Sequence, residues 1–157
     1  MESRLNPAKI APAAYRAMAA LEVYVKHSSN LEKPLLELVR MRASQINGCA
    51  YCLDMHSKDA RAVGETEQRL YGLDAWREAP FYTDRERAAL AWTEALTLIR
   101  EGHVEDDVYE AAHKVFSEQE LVDLAMVAVA INGWNRLAIA FRAEVGSYQP
   151  QQHAKSA

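Results

Sequence analysis

The segment that most limits the fold begins at Ser117. Ser117 and Glu120 (SEQE) have the spacing of a capping box, in which each side chain satisfies the other residue's free backbone donor. Behind it runs ELVDLAMVAVAINGWNRLAIAFRAEV, a helix of about 27 residues and roughly 40 Å at 1.5 Å per residue. A mostly apolar helix of that length must be covered on most sides. Other helices are the available cover, because the chain has six glycines and five prolines and no alternation of apolar and polar residues long enough to propose a sheet.

The remaining signals agree. Thr83 and Glu86 (TDRE) form a second capping-box pattern, opening a helix to about Glu101, before Gly102. Helical spacing marks Ala11 to His27, Leu31 to Ile46 with Pro34 in its first turn, and Cys49 to Val63. Asn47-Gly48 breaks the last two apart, and TEQRLYGLDAWREA reads as a shorter helix interrupted near Gly72 and Asp74. The fold class is therefore all-α, a single-domain helical bundle over residues 1–146 with a polar tail, 147–157, expected to be disordered. A chain of this length buries roughly 70% of its unfolded surface, enough for one core without staples. Few helices remain to cover the long one, so part of its surface is expected to meet another subunit.

Charge and leader signals narrow the setting. A formal net charge of -4 gives no reason to expect a nucleic acid or an anionic membrane as partner. The first twenty residues lack the apolar core of a signal peptide, and no run approaches the ~18 apolar residues of a membrane span. The expected location is the cytoplasm, where thiols stay reduced unless they are catalytic or redox-sensing.

Both cysteines lie in QINGCAYCLDMHSKDAR, residues 45–61. On a helix starting near Cys49, positions i, i+3 and i+7 put Cys49, Cys52 and His56 on one face. The helix start favours a thiolate, as does a nearby imidazolium. A metal clip, a redox couple and inert packing are the three readings. Structural zinc usually takes four ligands in two separated pairs, so the metal reading would need Glu37 to complete an unusual site. For the redox reading, lowering a thiol pKa from about 8.5 to about 6.5 raises the thiolate fraction at pH 7 roughly 25-fold, while lost nucleophilicity returns roughly 6- to 10-fold of it. The net gain of about 3-fold is too small for fast peroxide reduction, so the site must also deliver a proton to the departing oxygen. His56 and a carboxylate suit that task. Glu37, twelve residues before Cys49 in LLELVRMR, is the best carboxylate candidate, with a surface charge as its bland alternative. Asn132, Trp134, Asn135 and Arg136 fit a network locking helices or subunits better than a catalytic role, and Gly133 fits close helix packing. Glu86 is explained by its cap, and Glu94 by surface exposure.

The pattern E-x11-C-A-Y-C-x3-H, followed by N-x-W-N-R, resembles the alkylhydroperoxidase D-like proteins of the carboxymuconolactone decarboxylase superfamily over nearly the whole chain. The resemblance implies an all-helical fold assembled into trimers or hexamers, and a thiol-dependent peroxidase that needs no cofactor and no metal. Residue by residue, it makes Cys52 the attacking cysteine, Cys49 the resolving one, and His56 and Glu37 the proton-transfer residues. The implied partners are a hydroperoxide substrate and a dithiol reductant, lipoyl or thioredoxin-like. The best-known members carry a second histidine where this chain has Tyr51, and a phenol is a poor proton acceptor at neutral pH. That departure keeps open a disulfide reductase or redox sensor serving a partner protein. A zinc-holding oligomeric binding protein and a decarboxylase-like enzyme remain as further readings, although the decarboxylase branch lacks the paired cysteines.

Overall fold

The computed structural model describes residues 2–27 and 29–150. Among them there are helices and turns and no strand: α1 Pro7–Ile10, α2 Pro12–His27, α3 Lys33–Asn47, α4 Ala50–Ala62, α5 Glu67–Tyr71 leading into a 3-10 turn at Gly72–Ala75, α6 Asp84–Thr97, α7 Asp106–His113 and α8 Glu118–Phe141. The expected all-α class is found. Both capping boxes form reciprocally, at Thr83 with Glu86 and at Ser117 with Glu120. The helix α7 has no counterpart in the expected elements, although two aspartates in its first turn and His113 in its last suit a helix macrodipole.

The central element is α3, which packs against α4, α6 and α8. Its Leu35, Leu36 and Val39 join Leu124, Val127 and Ala130 of α8 in one apolar cluster, while Leu38 and Met41 join Leu73, Trp76 and Leu90 in another. Leu38, Leu73, Leu90 and Leu124 are fully buried, each contributing about 1.5–3 kcal/mol relative to exposure. Because α3 is enclosed on so many sides, it also buries the polar Glu37, Arg40 and Ser44.

By length and composition α8 could cross a membrane. It packs instead as a core helix against α2, α3 and α6, with Asp123 and Asn135 fully buried among its apolar residues. It ends at Phe141, four residues before the expected Val145, because Arg142 takes the left-handed conformation (φ 54°) and turns the chain. The first residues of the expected tail, 147–150, lie against α4. Tyr148 reaches α4, its hydroxyl donating to Asp59 Oδ1 at 2.8 Å and its carbonyl accepting from Lys58 Nζ at 3.0 Å. The rest of the expected tail, 151–157, lies outside the described residues.

Candidate active site

Gly48 sets the site's geometry. At φ 67° it caps α3, its N–H returning to the carbonyls of Ser44 and Gln45, and the chain reverses so that α4 lies along α3. That left-handed turn suits glycine, which has no Cβ to clash. Cys49 then becomes the N-cap of α4, its Sγ accepting the N–H of Cys52 at 3.4 Å. The two cysteines lie at disulfide distance, with Cα atoms 5.4 Å apart. They are not equivalent. Cys52 lines a cavity of about 1060 Å3 together with Glu37, Tyr51 and His56, whereas Cys49 lies behind it against Ala43 and Ile131. Only 1% of Cys49 and 2% of Cys52 is exposed.

One turn beyond Cys52, His56 is buried with its Nδ1 2.8 Å from Glu37 Oε2. Arg40 Nη1 donates to the other Glu37 oxygen at 2.6 Å, and Arg40 Nη2 donates to Glu22 Oε1 of α2, also at 2.6 Å. Burial pushes the Glu37 carboxyl upward, but hydrogen bonding and charge from His56, joined by Arg40, hold it below the usual carboxylate range. Glu37 is therefore an anion that fixes one ring nitrogen of His56. A buried ion pair is weak evidence for stability, since desolvation opposes the Coulombic gain. The pair lies on the same cavity wall as Cys52.

The structure thus brings Cys49, Cys52, His56 and Glu37 together, and puts Tyr51 on the same cavity wall. Burial, then the nearby Tyr15 and Asp54, push the Tyr51 phenol up, so it can donate a hydrogen bond but is a poor proton acceptor. Sequence reasoning missed Arg40 and Glu22. The first had a readable signal in its i+3 spacing from Glu37; the second is joined to the site only by the fold.

One set of side chains could be considered for a metal ion. Ligand atoms of Glu37, His56 and Asp59 lie within 4.8 Å of one another. Both Glu37 oxygens are already engaged, and the Arg40 guanidinium beside them opposes a second cation. Asp59 also takes the Tyr148 hydroxyl. The set suits proton handling better than metal binding.

The late NGWNR segment forms a separate network. Asn47 Nδ2 donates to Asn132 Oδ1 at 2.9 Å and to Asn135 Oδ1 at 2.8 Å. Asn135 Nδ2 donates to Ser44 Oγ at 3.1 Å, and Asn132 Nδ2 to Thr97 Oγ1 at 3.0 Å. Arg136 donates back to Asn132. Trp134 instead faces the cavity, packed edge-on to Tyr15 at 5.2 Å between ring centroids. A Cβ on Gly133 would come within 2.7 Å of Met18 Cε, in accord with the expected close packing. Glu94 is more engaged than expected: only 15% exposed, it accepts from Arg42, Trp76 and Arg77.

Residues 12–95 match the carboxymuconolactone decarboxylase family. The chain is 44% identical over 140 residues to the uncharacterized protein YdfG of Bacillus subtilis strain 168, covering 89% of this chain and 95% of that one. A crystal structure from Agrobacterium tumefaciens, of a protein of unknown function suggested to be the antioxidant defence protein AhpD, superposes with a TM-score of 0.90 at 44% identity, over 94% of this chain and all of that one. The debrominase Bmp8 shares the fold at 20% identity and a TM-score of 0.77, covering 87% of this chain and 73% of that one. The chain belongs to the carboxymuconolactone decarboxylase family and has its alkylhydroperoxidase D-like helical fold.

Proposed function

We propose that the protein is a thiol-dependent peroxidase for hydrogen peroxide or small organic hydroperoxides, serving antioxidant defence in the cytoplasm. The observation that carries this reading is the Glu37 and His56 pair bonded beside Cys52 on a shared cavity wall. In the reduced enzyme the Cys52 thiolate attacks the terminal oxygen of the hydroperoxide. The O–O bond breaks, its electron pair leaves with the alkoxide, and His56 supplies the proton that makes it an alcohol. Cys52 is then a sulfenic acid. The Cys49 thiol displaces its hydroxyl as water, forming the disulfide, and a dithiol of lipoyl or thioredoxin-like type reduces the pair and is itself oxidised.

The split in access supports this assignment of roles, since Cys52 meets the cavity and Cys49 does not. Exposed Val122, Val129 and Ile139 on α8, with Val23 on α2, support assembly into a homo-oligomer, a trimer or hexamer. The resemblance of the Agrobacterium structure supports the antioxidant setting.

The test is hydroperoxide consumption with a dithiol reductant, for wild type and Cys52→Ser. Loss of turnover in the variant is expected, and equal rates would remove Cys52 from the mechanism. Tyr51 favours one second reading, a disulfide reductase or redox sensor, because its phenol cannot take up a proton as a histidine would. Poor peroxide turnover alongside rapid reduction of a disulfide substrate would select it.

A further inference from the structure

The cavity wall carries two more polar side chains, Asp59 and Tyr148. Asp59 lies on α4, three residues beyond His56, while Tyr148 arrives from the C-terminal segment. After Arg142 turns the chain, Gly146 N–H donates to Asp54 Oδ2 at 3.2 Å. Lys58, paired with Asp54 at 2.9 Å, donates to the Tyr148 carbonyl. Thus Asp54 and Lys58, one helical turn apart on α4, clamp the segment's backbone and leave the Tyr148 ring directed at the cavity. Its hydroxyl donates to Asp59 Oδ1. Burial, the Asp59 bond, and the charges of Asp59 and Glu37 all push the Tyr148 phenol up, keeping its proton in place.

Asp59 has a carboxylate oxygen within 4.8 Å of His56 and of Glu37, a gap that one water spans. Two carboxylates without further partners would repel each other there. Arg40 engages Glu37 and the Tyr148 hydroxyl engages Asp59, so each of the two anions beside the imidazole has a partner of its own.

We infer that Asp59 and Tyr148 are positioning residues of this site: Tyr148 holds Asp59, and Asp59 directs the proton-bearing ring of His56 toward the oxygen that leaves the hydroperoxide. The inference rests on the peroxidase reading and deepens it, naming what orients the His56 ring in a chain whose Tyr51 cannot act as a base. In the balanced step, the thiolate gains the terminal oxygen, the O–O electron pair goes to the alkoxide, and the alkoxide takes the His56 proton. Asp59 and Tyr148 change neither electrons nor atoms.

The test is oxidation of the reduced enzyme by tert-butyl hydroperoxide in single turnover, for wild type, Tyr148→Phe, Asp59→Asn and the double variant. Each single substitution should slow the reaction about 10-fold, and the double variant should be no slower than the slower single one, as expected of residues acting in series. Alkylation of Cys52 by iodoacetamide needs a thiolate but no proton for the departing iodide, so it should stay within about twofold of wild type. Peracetic acid, whose acetate leaving group needs no proton, should likewise recover a near wild-type rate. Unchanged hydroperoxide rates, additive losses, or alkylation falling in parallel with peroxide oxidation would each overturn the inference. The last would mean that the segment merely supports the pocket. A wild-type enzyme that oxidises no faster than Cys52→Ser removes the peroxidase reading and this inference with it, whereas an active wild type indifferent to both substitutions removes this inference alone.

Discussion

Glu37 and Asn135 are both buried polar side chains on helices that pack against α4, yet they keep different company. Asn135 sits in a network of neutral groups, Asn47, Asn132, Ser44 and Thr97, which meets a charge only at its outer edge, where Arg136 donates to Asn132. Glu37 belongs to an ionic chain, Glu22, Arg40, Glu37 and His56, which opens onto the cavity beside Cys52. The neutral network satisfies donors that the core would otherwise leave unpaired, and so fixes how α3, α6 and α8 meet. The ionic chain carries a desolvation cost without a clear stability return, and its members are groups that can hold and move a proton. Two polar clusters can thus differ in what their members are able to do, one made mainly of neutral amides and hydroxyls, the other of groups that ionise.

Substitutions should separate them. The largest effect is expected from Glu37→Gln, which removes the anion holding His56 and should slow peroxide oxidation about 100-fold, read by single-turnover kinetics of the reduced enzyme. A loss below about threefold would place Glu37 in the architectural class. Asn135→Ala is the mirror experiment. It strands Ser44 and removes one of the two acceptors of Asn47, and should cost about 1–3 kcal/mol in urea unfolding, while the peroxide rate of the folded protein stays within about twofold. A rate loss larger than the stability loss explains would erase the distinction.

Acidity offers a gentler probe. The folded-state pKa of Glu37 is lowered from the ordinary 4.5, so its ionic bonds stabilise the fold fully above the unfolded value and lose that contribution as pH falls through the folded one. The stability difference between wild type and Glu37→Gln should therefore be constant near neutrality and shrink below about pH 4.5. A difference that grew with acid would contradict the sign. The smallest effect belongs to Gly133→Ala, where a gain of about 1 kcal/mol in helix propensity meets a contact that the flexible end of Met18 can relieve. Unfolding midpoints should barely move; a large loss would show that Met18 is pinned and that the neutral network depends on it.

The sequence makes local signals legible. The two capping boxes, the Asn47-Gly48 reversal and the i, i+4 face of Cys52 and His56 all depend on residues within one or two turns, and all are found where expected. Glu37 is legible because α3 surrounds it with apolar neighbours. Asn47, read only as a breaker, turns out to brace α8 some 85 and 88 positions away. Tyr148, 89 positions from Asp59, gives no local sign of its role. Long-range partners of this kind are set by how helices stack, which neither spacing nor propensity encodes. Even the end of α8 escapes, since its apolar pattern runs on to Val145 while the backbone turns at Arg142.

The cavity mouth also has a practical bearing on how the protein is handled. Its rim includes Ser3, Leu5 and Asn6 from one end of the chain and Ser147, Gln149 and Pro150 from the other, and Arg4 N–H is bonded to the Phe141 carbonyl at 3.0 Å. A bulky group attached at Asn6 or Gln149 would therefore sit at the doorway to Cys52. On the proposed peroxidase reading, such a group should slow bulky hydroperoxides more than hydrogen peroxide, which steady-state rates on the two substrates would check.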